Sequence, residues 1–399
     1  MRASITTTKT RRVHCAGSAH NVKQPDAPMS LKKKLRRKPG FDALLRIGPA
    51  LRARRDVCRR LDHFAVLMAP GTYTLRWNLA SRDLAPGEST SEIRTGFLEH
   101  NNIDRHFAYR LAEALPPRGR AIARADGAAD APDTGDVLLV RGEATLLLTR
   151  DGRHIIRLFP TAALAERILD NAEQLRGWLR IPSVEPLATD VQGLHGIRES
   201  LMPGTMVKLG NPEQNAAGYR DFLGQCLDHA PAATGTFGRE DEVRKVLGWP
   251  LPPWLRQALN ADAECLVETL THAPMLFSHG DCHPGNLIIG ADGRAGMIDL
   301  ERAEWMPFFF DALYMLRSQH PSCIDLRQRY LAGDFDDVLA RIWTAAGREF
   351  RPDLRMTYLL TVSVAHALRS QYQGKTTPKR ARKLLNSSRS LRGDCESAD

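Results

Sequence analysis

Residues 278–301 read SHGDCHPGNLIIGADGRAGMIDLE, a run in which polar clusters flank short apolar segments. The apolar segments 287–289 and 295–298 are separated by Asp292-Gly293, and an Asp-Gly pair in this position is a strong signal for a tight β-hairpin. The run therefore predicts a loop, a strand, a turn, a second strand and a further loop.

Polar side chains stand at both outer ends of this hairpin. Asp281 and Asn286 precede the first strand, and Asp299 follows the second. Because a hairpin brings its two outer ends together, these three side chains are expected to converge. Two carboxylates and an amide oxygen suit a hard cation and its phosphates, as in phosphoryl transfer. A buried polar turn, in which Asp281 caps the backbone and Asn286 satisfies a loop, is the plain alternative.

The same residues carry a resemblance to a known family. His279, Asp281, Asn286 and the run 298–301 resemble the aminoglycoside phosphotransferase and choline kinase family, whose catalytic loop reads H-x-D-x-x-x-x-N and whose metal-binding Asp stands in an I-D-x-E context. The resemblance implies an α+β, two-lobed protein-kinase-like fold with a small, mostly β N-lobe and a large, mostly helical C-lobe. It also implies ATP and Mg²⁺ as cofactors.

The resemblance assigns roles to the loop residues. Asp281 would position the substrate hydroxyl or accept its proton, while Asn286 and Asp299 would hold the metal. His279 is the second catalytic candidate, although a loop histidine beside a carboxylate base is more often a hydrogen-bonding support. Asp311, in a P-x-x-x-D-x-L pattern, is expected to cap a helix and brace the catalytic loop.

The segment upstream has the order of a kinase small lobe. Arg157 stands on its third strand, where the family has a Lys, and the guanidinium fork is not equivalent to an ammonium. The resemblance gives Arg157 a partner on the following helix, Glu173, with Glu166 as the competing candidate. Strands are predicted over 136–142, 144–149, 154–159 and 192–201, with a helix over 162–179.

Three further positions are matched to the nucleotide. Gly142 is the single glycine of the turn that would cover the phosphates. The backbone of Glu199 and Leu201 is matched to the segment that contacts adenine in the family. An ordinary strand end is the plain alternative for these two residues.

The composition of 124–135 reads as a linker, and together with the resemblance it divides the chain. The division comprises a disordered basic tail (1–40), an accessory segment of unknown role (41–123), the N-lobe (136–204), the C-lobe with the catalytic loop (205–373) and a polar tail (374–399). In the accessory segment we expect a helix over 41–61 interrupted at Gly48-Pro49, a strand over 73–79 and a helix over 105–115. C-lobe helices are expected over 213–229, 254–272, 334–347 and 352–372. Translation from Met1 or from Met29 stays open.

Charge and cysteine usage limit the partners and the cellular compartment that can be expected. Residues 32–60 hold twelve basic and two acidic residues, a local balance that equals the formal net charge of the whole chain, +10. A weak contact of this block with anionic surfaces is open, but no specific nucleic-acid binding is expected, because few aromatic residues are interleaved for stacking. The seven cysteines are scattered, and no signal peptide or membrane-length apolar run occurs, so a cytoplasmic protein is expected.

The expected function is ATP-dependent transfer of the γ-phosphate to a hydroxyl of a small molecule. An amino sugar, an amino alcohol and a saccharide stay open as acceptors, as do ATP versus GTP and the oligomeric state. Asp334, Asp336 and Asp337 are candidates for attracting a cationic acceptor, although an acidic helix start explains them equally. The alternative function is a catalytically weak, pseudokinase-like binding module, because Arg157 replaces the usual Lys.

Overall fold

The computed structural model describes residues 41–76, 78–84, 119–122, 134–141, 144–188 and 193–372. Ten α-helices lie in these ranges: α1 (Phe41–His63), α2 (Ala162–Leu175), α3 (Pro212–His229), α4 (Glu240–Leu247), α5 (Pro253–Ala261), α6 (Ala263–Thr271), α7 (Phe310–Tyr314), α8 (Pro321–Ala332), α9 (Asp336–Ala345) and α10 (Arg355–Tyr372). The strands of the same ranges are β1 (Gly71–Leu75), β2 (Leu79–Arg82), β3 (Gly119–Ile122), β4 (Gly135–Arg141), β5 (Ala144–Thr149), β6 (His154–Phe159), β7 (Val184–Pro186), β8 (His195–Ser200), β9 (Thr205–Met206), β10 (Met275–Ser278), β11 (Leu287–Ile289), β12 (Ala295–Met297) and β13 (Glu304–Pro307).

The N-lobe is an antiparallel sheet in the order β3-β1-β2-β4-β5-β6-β8-β7. The strands β4, β5, β6 and β8 and the helix α2 are those expected from the sequence. The segment 41–123 was expected to be an accessory layer, but its strands β1 to β3 join the same sheet through the pairing of β2 with β4. The sequence also predicted one strand over 73–79, whereas the structure turns there and forms β1 and β2 as a hairpin.

One face of this sheet is covered by α1. Val57 and Leu61 of the helix pack with Tyr73, Leu138 and Ile156 of the sheet, and all five side chains are fully buried. The expected interruption at Gly48-Pro49 is wrong, because the helix runs through Pro49 without a break. The N-terminal segment is therefore held to the N-lobe by strand pairing and by apolar burial.

The C-lobe is mostly helical and encloses the largest apolar core of the described chain. The predicted helix over 254–272 is two helices, because the backbone departs from helical geometry at Asp262 (φ −125°, ψ 36°). The hairpin of β11 and β12 forms as predicted, with Leu287 opposite Met297, and β9 pairs with its outer edge. β10, which precedes the catalytic loop, pairs with β13, which follows the hairpin, in a separate two-stranded sheet. The α+β, two-lobed fold expected from the sequence is confirmed.

Two parts of the predicted division lie outside the described residues, namely the tails 1–40 and 374–399. The expected helix over 105–115 lies outside them as well. None of the helices within the described ranges combines the length and the apolar character that crossing a membrane would require.

Candidate active site

The loop that precedes the hairpin is held by its backbone. Asp311 Oδ2 accepts the N–H of His279 at 2.5 Å, and Oδ1 accepts the N–H of Gly280 at 2.9 Å. Asp311 therefore braces the loop as expected, but it makes no cap hydrogen bond at the start of α7. Gly280 has φ +76°, and a Cβ there would lie 2.4 Å from the Arg302 carbonyl oxygen, so the turn requires glycine.

Arg369 holds the same loop from the last helix of the C-lobe. Its guanidinium, on α10, donates to the carbonyl oxygens of Gly280 and Arg302 and pairs with Glu304. Burial lowers the pKa of Arg369 to about 10, so the side chain stays charged at neutral pH. The carbonyl oxygens on either side of the hairpin are thus tied to one buried cation.

His279 is fully buried and links the loop to the end of the hairpin. Its Nε2 lies 3.0 Å from the carbonyl oxygen of Ile298, and its Nδ1 lies 3.3 Å from the N–H of Asp281. This pattern assigns the proton to Nε2, which donates to Ile298, while Nδ1 accepts. Burial lowers the pKa of His279 to about 4, so the ring is neutral at physiological pH.

Asp281 lies in this loop, with about 13% of its side chain exposed. Its Oδ1 is 3.5 Å from the Tyr314 hydroxyl, and its Oδ2 is 3.5 Å from Nε of Arg302. Asn286 Nδ2 donates to the Asp281 carbonyl oxygen at 3.1 Å, which fixes the orientation of the amide. The carboxylate is therefore held by weak, long contacts and keeps oxygen lone pairs for a further donor.

Asp299 leaves the hairpin in the left-handed region, with φ 69° and ψ 65°. A non-glycine residue in this conformation is uncommon and stores backbone strain, which is frequent at functional sites. The N–H of Ile298 donates to the Asn286 carbonyl oxygen at 3.0 Å, so the residue before Asp299 is tied to Asn286. Asn171 of α2 fixes the other side, because its Nδ2 donates to the Leu300 carbonyl oxygen at 2.7 Å.

The loop and the hairpin thus bring Asp281, Asn286 and Asp299 together. Burial lowers the pKa of the neighbouring His283 ring. The negative charges of Asp281 and Asp299 both oppose this shift. Because Nδ2 of Asn286 is engaged, its Oδ1 is the atom that remains for a ligand. The three side chains therefore offer hard oxygen donors.

This donor set fits Mg²⁺. The set includes an amide, and within the described ranges no group of three or more His, Cys, Asp or Glu side chains is arranged to hold a metal ion by itself. Mg²⁺ does not require such a group. Mg²⁺ is commonly bound by one or two carboxylates and completes its shell with phosphate oxygens and water. Asn286 Oδ1 and the carboxylate of Asp299 satisfy that requirement.

Arg157 points from β6 toward Asp299, as its position on the third strand of the kinase pattern predicts. Its Nη1 is 3.5 Å from Glu199 Oε2, its Nη2 contacts Glu301, and Nη2 is 3.6 Å from Asp299 Oδ1. Burial alone would lower the pKa of Arg157, but these three carboxylates raise it above its ordinary value. Arg157 is therefore a buried, charged group between β8 and the segment 299–301.

The expected partner of Arg157 is wrong. Glu173 lies on α2 with its side chain about 79% exposed and pairs with Arg176, at 3.4 Å, and the competing candidate Glu166 is also exposed. The helix turns both carboxylates to solvent, because its buried stripe contains Ile168, Asn171 and Leu175. The structure therefore gives Arg157 partners from β8 and from the segment after Asp299.

The other predicted nucleotide contacts have different outcomes. Gly142 lies outside the described residues. The N–H of Leu201 donates to the Arg153 carbonyl oxygen at 2.7 Å, so this N–H is engaged within the protein, and a contact of the Leu201 backbone with adenine stays a prediction. Glu199 is a paired strand residue that faces Arg157 with its side chain.

Sequence reasoning missed three residues that hold the site: Asn171, Tyr314 and Arg369. Each lies far along the chain from its contact, and its residue type alone gives no signal. A buried polar position on the apolar face of α2 was the one pattern by which Asn171 could have been found.

Comparison with known proteins gives one family match. The model of a family described as the phosphotransferase enzyme family matches residues 110–346. No curated protein matches the chain.

Solved structures give matches of low identity. An aminoglycoside phosphotransferase from Streptomyces rimosus has 17% identity and a TM-score of 0.39, with 57% of this chain and 92% of that chain covered. A putative aminoglycoside phosphotransferase from Ralstonia eutropha has 15% identity and a TM-score of 0.41, with coverages of 64% and 91%. An aminoglycoside phosphotransferase from Alicyclobacillus acidocaldarius has 13% identity and a TM-score of 0.37, with coverages of 65% and 89%.

The assignment of this chain comes from the family match, which spans more than half of its residues and includes the whole catalytic loop and hairpin. The chain therefore belongs to the phosphotransferase enzyme family, and it is a kinase-type enzyme.

Proposed function

We propose that the protein transfers the γ-phosphate of ATP to a hydroxyl group of a small molecule. The single observation that carries this proposal is the convergence of Asp281, Asn286 and Asp299 on a loop that is braced from both sides by Asp311 and Arg369. A rigid, hard-oxygen site of this kind suits phosphoryl transfer, in which positioning and charge neutralisation are most of the catalysis.

Asp281 is proposed to accept a hydrogen bond from the acceptor hydroxyl. As the new oxygen–phosphorus bond forms and the bond to the leaving ADP oxygen breaks, the hydroxyl proton passes to the Asp281 carboxylate. Asn286 and Asp299 would hold Mg²⁺, which when bound neutralises charge on the phosphate oxygens. His279 is proposed to act as a positioning residue, because it is neutral and both of its nitrogens are engaged.

Arg157 is proposed to donate to the phosphates in place of the family's Lys. Its Nη2 already lies beside Asp299, and the guanidinium fork can contact phosphate oxygens with two parallel bonds. Glu199 and Glu301 would orient it, as a helix Glu orients the Lys in the resembling family. The N-lobe (136–204) and C-lobe (205–373) would thus share the nucleotide between them.

A pseudokinase-like binding module is the second candidate. The observation that favours it is the neutralisation of Arg157 by the three carboxylates Glu199, Glu301 and Asp299, which hold the cation away from a ligand. In that case nucleotide binding would be weak or independent of Mg²⁺.

Untargeted phosphorylation tests the proposal. The purified protein is incubated with a metabolite extract, ATP and Mg²⁺, and the products are searched by mass spectrometry for a gain of one phosphoryl group. We expect at least one hydroxyl compound to be phosphorylated by the wild type and not by Asp281→Ala. Phosphorylation that is equal in both proteins, or absent together with Mg²⁺-independent nucleotide binding, would contradict the proposal.

A further inference from the structure

Tyr314, the last residue of α7, contacts the carboxylate of Asp281. Its hydroxyl is 3.5 Å from Asp281 Oδ1 and 3.4 Å from Nε2 of His366, a residue of α10. The hydroxyl therefore joins the proposed base to an imidazole ring that lies far from it in the sequence.

Ring packing holds Tyr314 in this place. The rings of Tyr314 and His366 meet edge to face, with their centroids 5.2 Å apart and an interplanar angle of 88°. The fully buried ring of Phe310, one helical turn earlier on α7, lies 5.1 Å from that of Tyr314. Because the tyrosine ring packs against two neighbours, its hydroxyl is kept near Asp281.

The direction of hydrogen bonding follows from the protonation states. Burial raises the pKa of Tyr314 to about 12, so the hydroxyl keeps its proton at neutral pH. An ionised carboxylate can only accept hydrogen bonds, so the single hydroxyl proton is donated to Asp281 and the Tyr314 oxygen is left to accept. Burial lowers the pKa of His366 to about 3, so its ring is neutral and carries one proton.

The surroundings of His366 assign that proton to Nε2. Its Nδ1 is buried and has no hydrogen-bond partner among the described residues, whereas Nε2 faces the Tyr314 hydroxyl. A proton on Nδ1 would leave a buried N–H without an acceptor, which is costly, whereas a proton on Nε2 is donated to the Tyr314 oxygen. Donation then runs from His366 to Tyr314 and from Tyr314 to Asp281, and we call these three residues the donor chain.

The donor chain is built on the same two helices that hold the backbone of the catalytic loop. On α7, Asp311 accepts the N–H of Gly280, and Tyr314 follows three residues later. On α10, Arg369 donates to the Gly280 carbonyl oxygen and lies three residues after His366. Since residues three apart are neighbours on the surface of a helix, each helix presents one side chain to the loop backbone and one to the donor chain.

We propose that Tyr314 is a positioning residue of the reaction, whose hydroxyl orients the Asp281 carboxylate toward the acceptor hydroxyl, and that His366 orients Tyr314. This inference rests on the proposed function and adds to it two residues outside the H-x-D-x-x-x-x-N motif. Both act through Asp281. Because the Asp281 carboxylate is held by long contacts, loss of one of them lets it rotate, and a misaligned catalytic group slows the chemical step.

The first test is Tyr314→Phe, which keeps the ring and loses the hydroxyl. ATP hydrolysis by the full-length protein is measured as phosphate release in the presence of Mg²⁺, with water as the acceptor. We expect kcat to fall about tenfold and the KM for ATP to stay unchanged, because the lost contact is to the residue that orients the acceptor. Tyr330→Phe is the matched control, since it removes a hydroxyl that donates to the Arg355 carbonyl oxygen at 2.9 Å, and it should keep the wild-type kcat.

Variants of His366 test whether this residue acts through Tyr314. His366→Leu removes the donor and should lower kcat about threefold, whereas His366→Gln keeps an N–H donor and should recover most of the loss. In the Tyr314→Phe background, His366→Leu should cause no further loss, because its effect is transmitted by the missing hydroxyl. A substitution that merely loosened the fold would lower kcat in both backgrounds.

The tautomer of His366, read by ¹⁵N NMR, is a measurement that needs no turnover, and we expect the proton on Nε2. A proton on Nδ1, a wild-type kcat in Tyr314→Phe, or additive effects of the two substitutions would each overturn the inference while the proposed function stands. Failure of the proposed function looks different. The wild type would then release no phosphate from ATP and phosphorylate no compound of the metabolite extract, and the inference would fall with it.

Discussion

At the scale of single residues, Arg157 is the cation among the three carboxylates of Glu199, Asp299 and Glu301. It is the cation that pairs with the buried carboxylate of Glu199, whose side chain is about 11% exposed. Removing one partner of a buried ion pair leaves an uncompensated charge, which costs about 3–5 kcal/mol. Arg157 therefore has a structural role that is separate from any contact with phosphate.

We predict that Arg157→Ala lowers the free energy of unfolding by about 3 kcal/mol and lowers turnover by roughly tenfold to a hundredfold. Arg157→Lys should recover most of the stability, because it restores a cation beside Glu199, but only part of the turnover, because it loses the fork. Denaturant unfolding and steady-state kinetics measure the two effects. Arg176→Ala, in an exposed pair with Glu173, is the control and should change stability by less than about 1 kcal/mol. Equal stability of Arg157→Ala and the control would remove the structural role.

The buried ring of His279 makes the stability of the protein depend on pH. Its pKa is lowered from 6.5 to about 4 by burial, so between these values the unfolded chain binds more protons than the folded one. Its stabilising contribution is therefore complete above about pH 6.5 and is lost as the pH falls toward 4, by about 3 kcal/mol in all.

The measurement is the free energy of unfolding from pH 7 to pH 4, in the wild type and in His279→Gln. The decrease with falling pH should be shallower in His279→Gln, whereas His272→Gln, which removes an exposed histidine, should keep the wild-type slope. The pKa of the partly buried His366 is lowered as well and acts in the same direction, so the slope is reduced in the variant and not abolished. Identical slopes in wild type and His279→Gln would show that the ring is protonated without cost in the fold.

At the scale of elements, the helix α2 packs against the segment that follows Asp299, and one of its side chains is hydrogen-bonded there. Asn171 donates to the Leu300 carbonyl oxygen at 2.7 Å, one residue after Asp299. Leaving a buried carbonyl unsatisfied costs about 1–3 kcal/mol, and the strained backbone at Asp299 depends on such contacts to persist.

We predict that Asn171→Ala lowers the free energy of unfolding by about 1–3 kcal/mol and weakens Mg²⁺-dependent nucleotide binding several-fold. Gln174→Ala, at an exposed position of the same helix, should leave both unchanged. Nucleotide titrations with and without Mg²⁺ separate the two effects. An Asn171→Ala protein that loses stability but keeps wild-type Mg²⁺ dependence would mean that the contact supports the fold and not the site.

Some elements and contacts could be predicted from the sequence, and others could not. The hairpin of β11 and β12 was predictable to within a residue, because period, β-branched residues and an Asp-Gly turn act within a dozen positions. The partner of Arg157 was not, because Glu199 and Glu301 reach it through sheet register and through the turn after Asp299, and the register is set by the tertiary fold. The same holds for Arg369, which contacts Gly280 from the last described helix.

At the scale of the whole molecule, the N-terminal segment is part of the N-lobe. Composition gave no indication of this, since strands as short as β2 and β3 have little periodicity. Pairing of β2 with β4 and packing of Val57, Leu61 and Tyr73 bury one face of the sheet. Each such side chain contributes about 1.5–3 kcal/mol on burial, so together they match a large part of the stability of a domain.

We predict that a chain lacking residues 1–123 is insoluble or unfolds without a cooperative transition, because its β4 edge and the apolar face under α1 are exposed. A chain lacking only residues 1–40 keeps every contact that the structure describes and should unfold within about 1 kcal/mol of the full protein. Chemical unfolding and size-exclusion chromatography compare the two. A stable, monodisperse protein without residues 1–123 would restore the interpretation of that segment as an accessory.

The central claim is that the loop before the hairpin positions a hydroxyl through Asp281 and that the end of the hairpin positions a metal through Asp299. The measurement that tests it most directly is phosphate transfer from ATP to an acceptor found by the metabolite screen, together with Mg²⁺-dependent nucleotide binding, in Asp281→Asn and Asp299→Asn. We predict that both variants lose transfer by about a hundredfold or more, that Asp281→Asn keeps wild-type nucleotide binding, and that Asp299→Asn loses its Mg²⁺ dependence. Transfer at the wild-type rate in either variant would contradict the account.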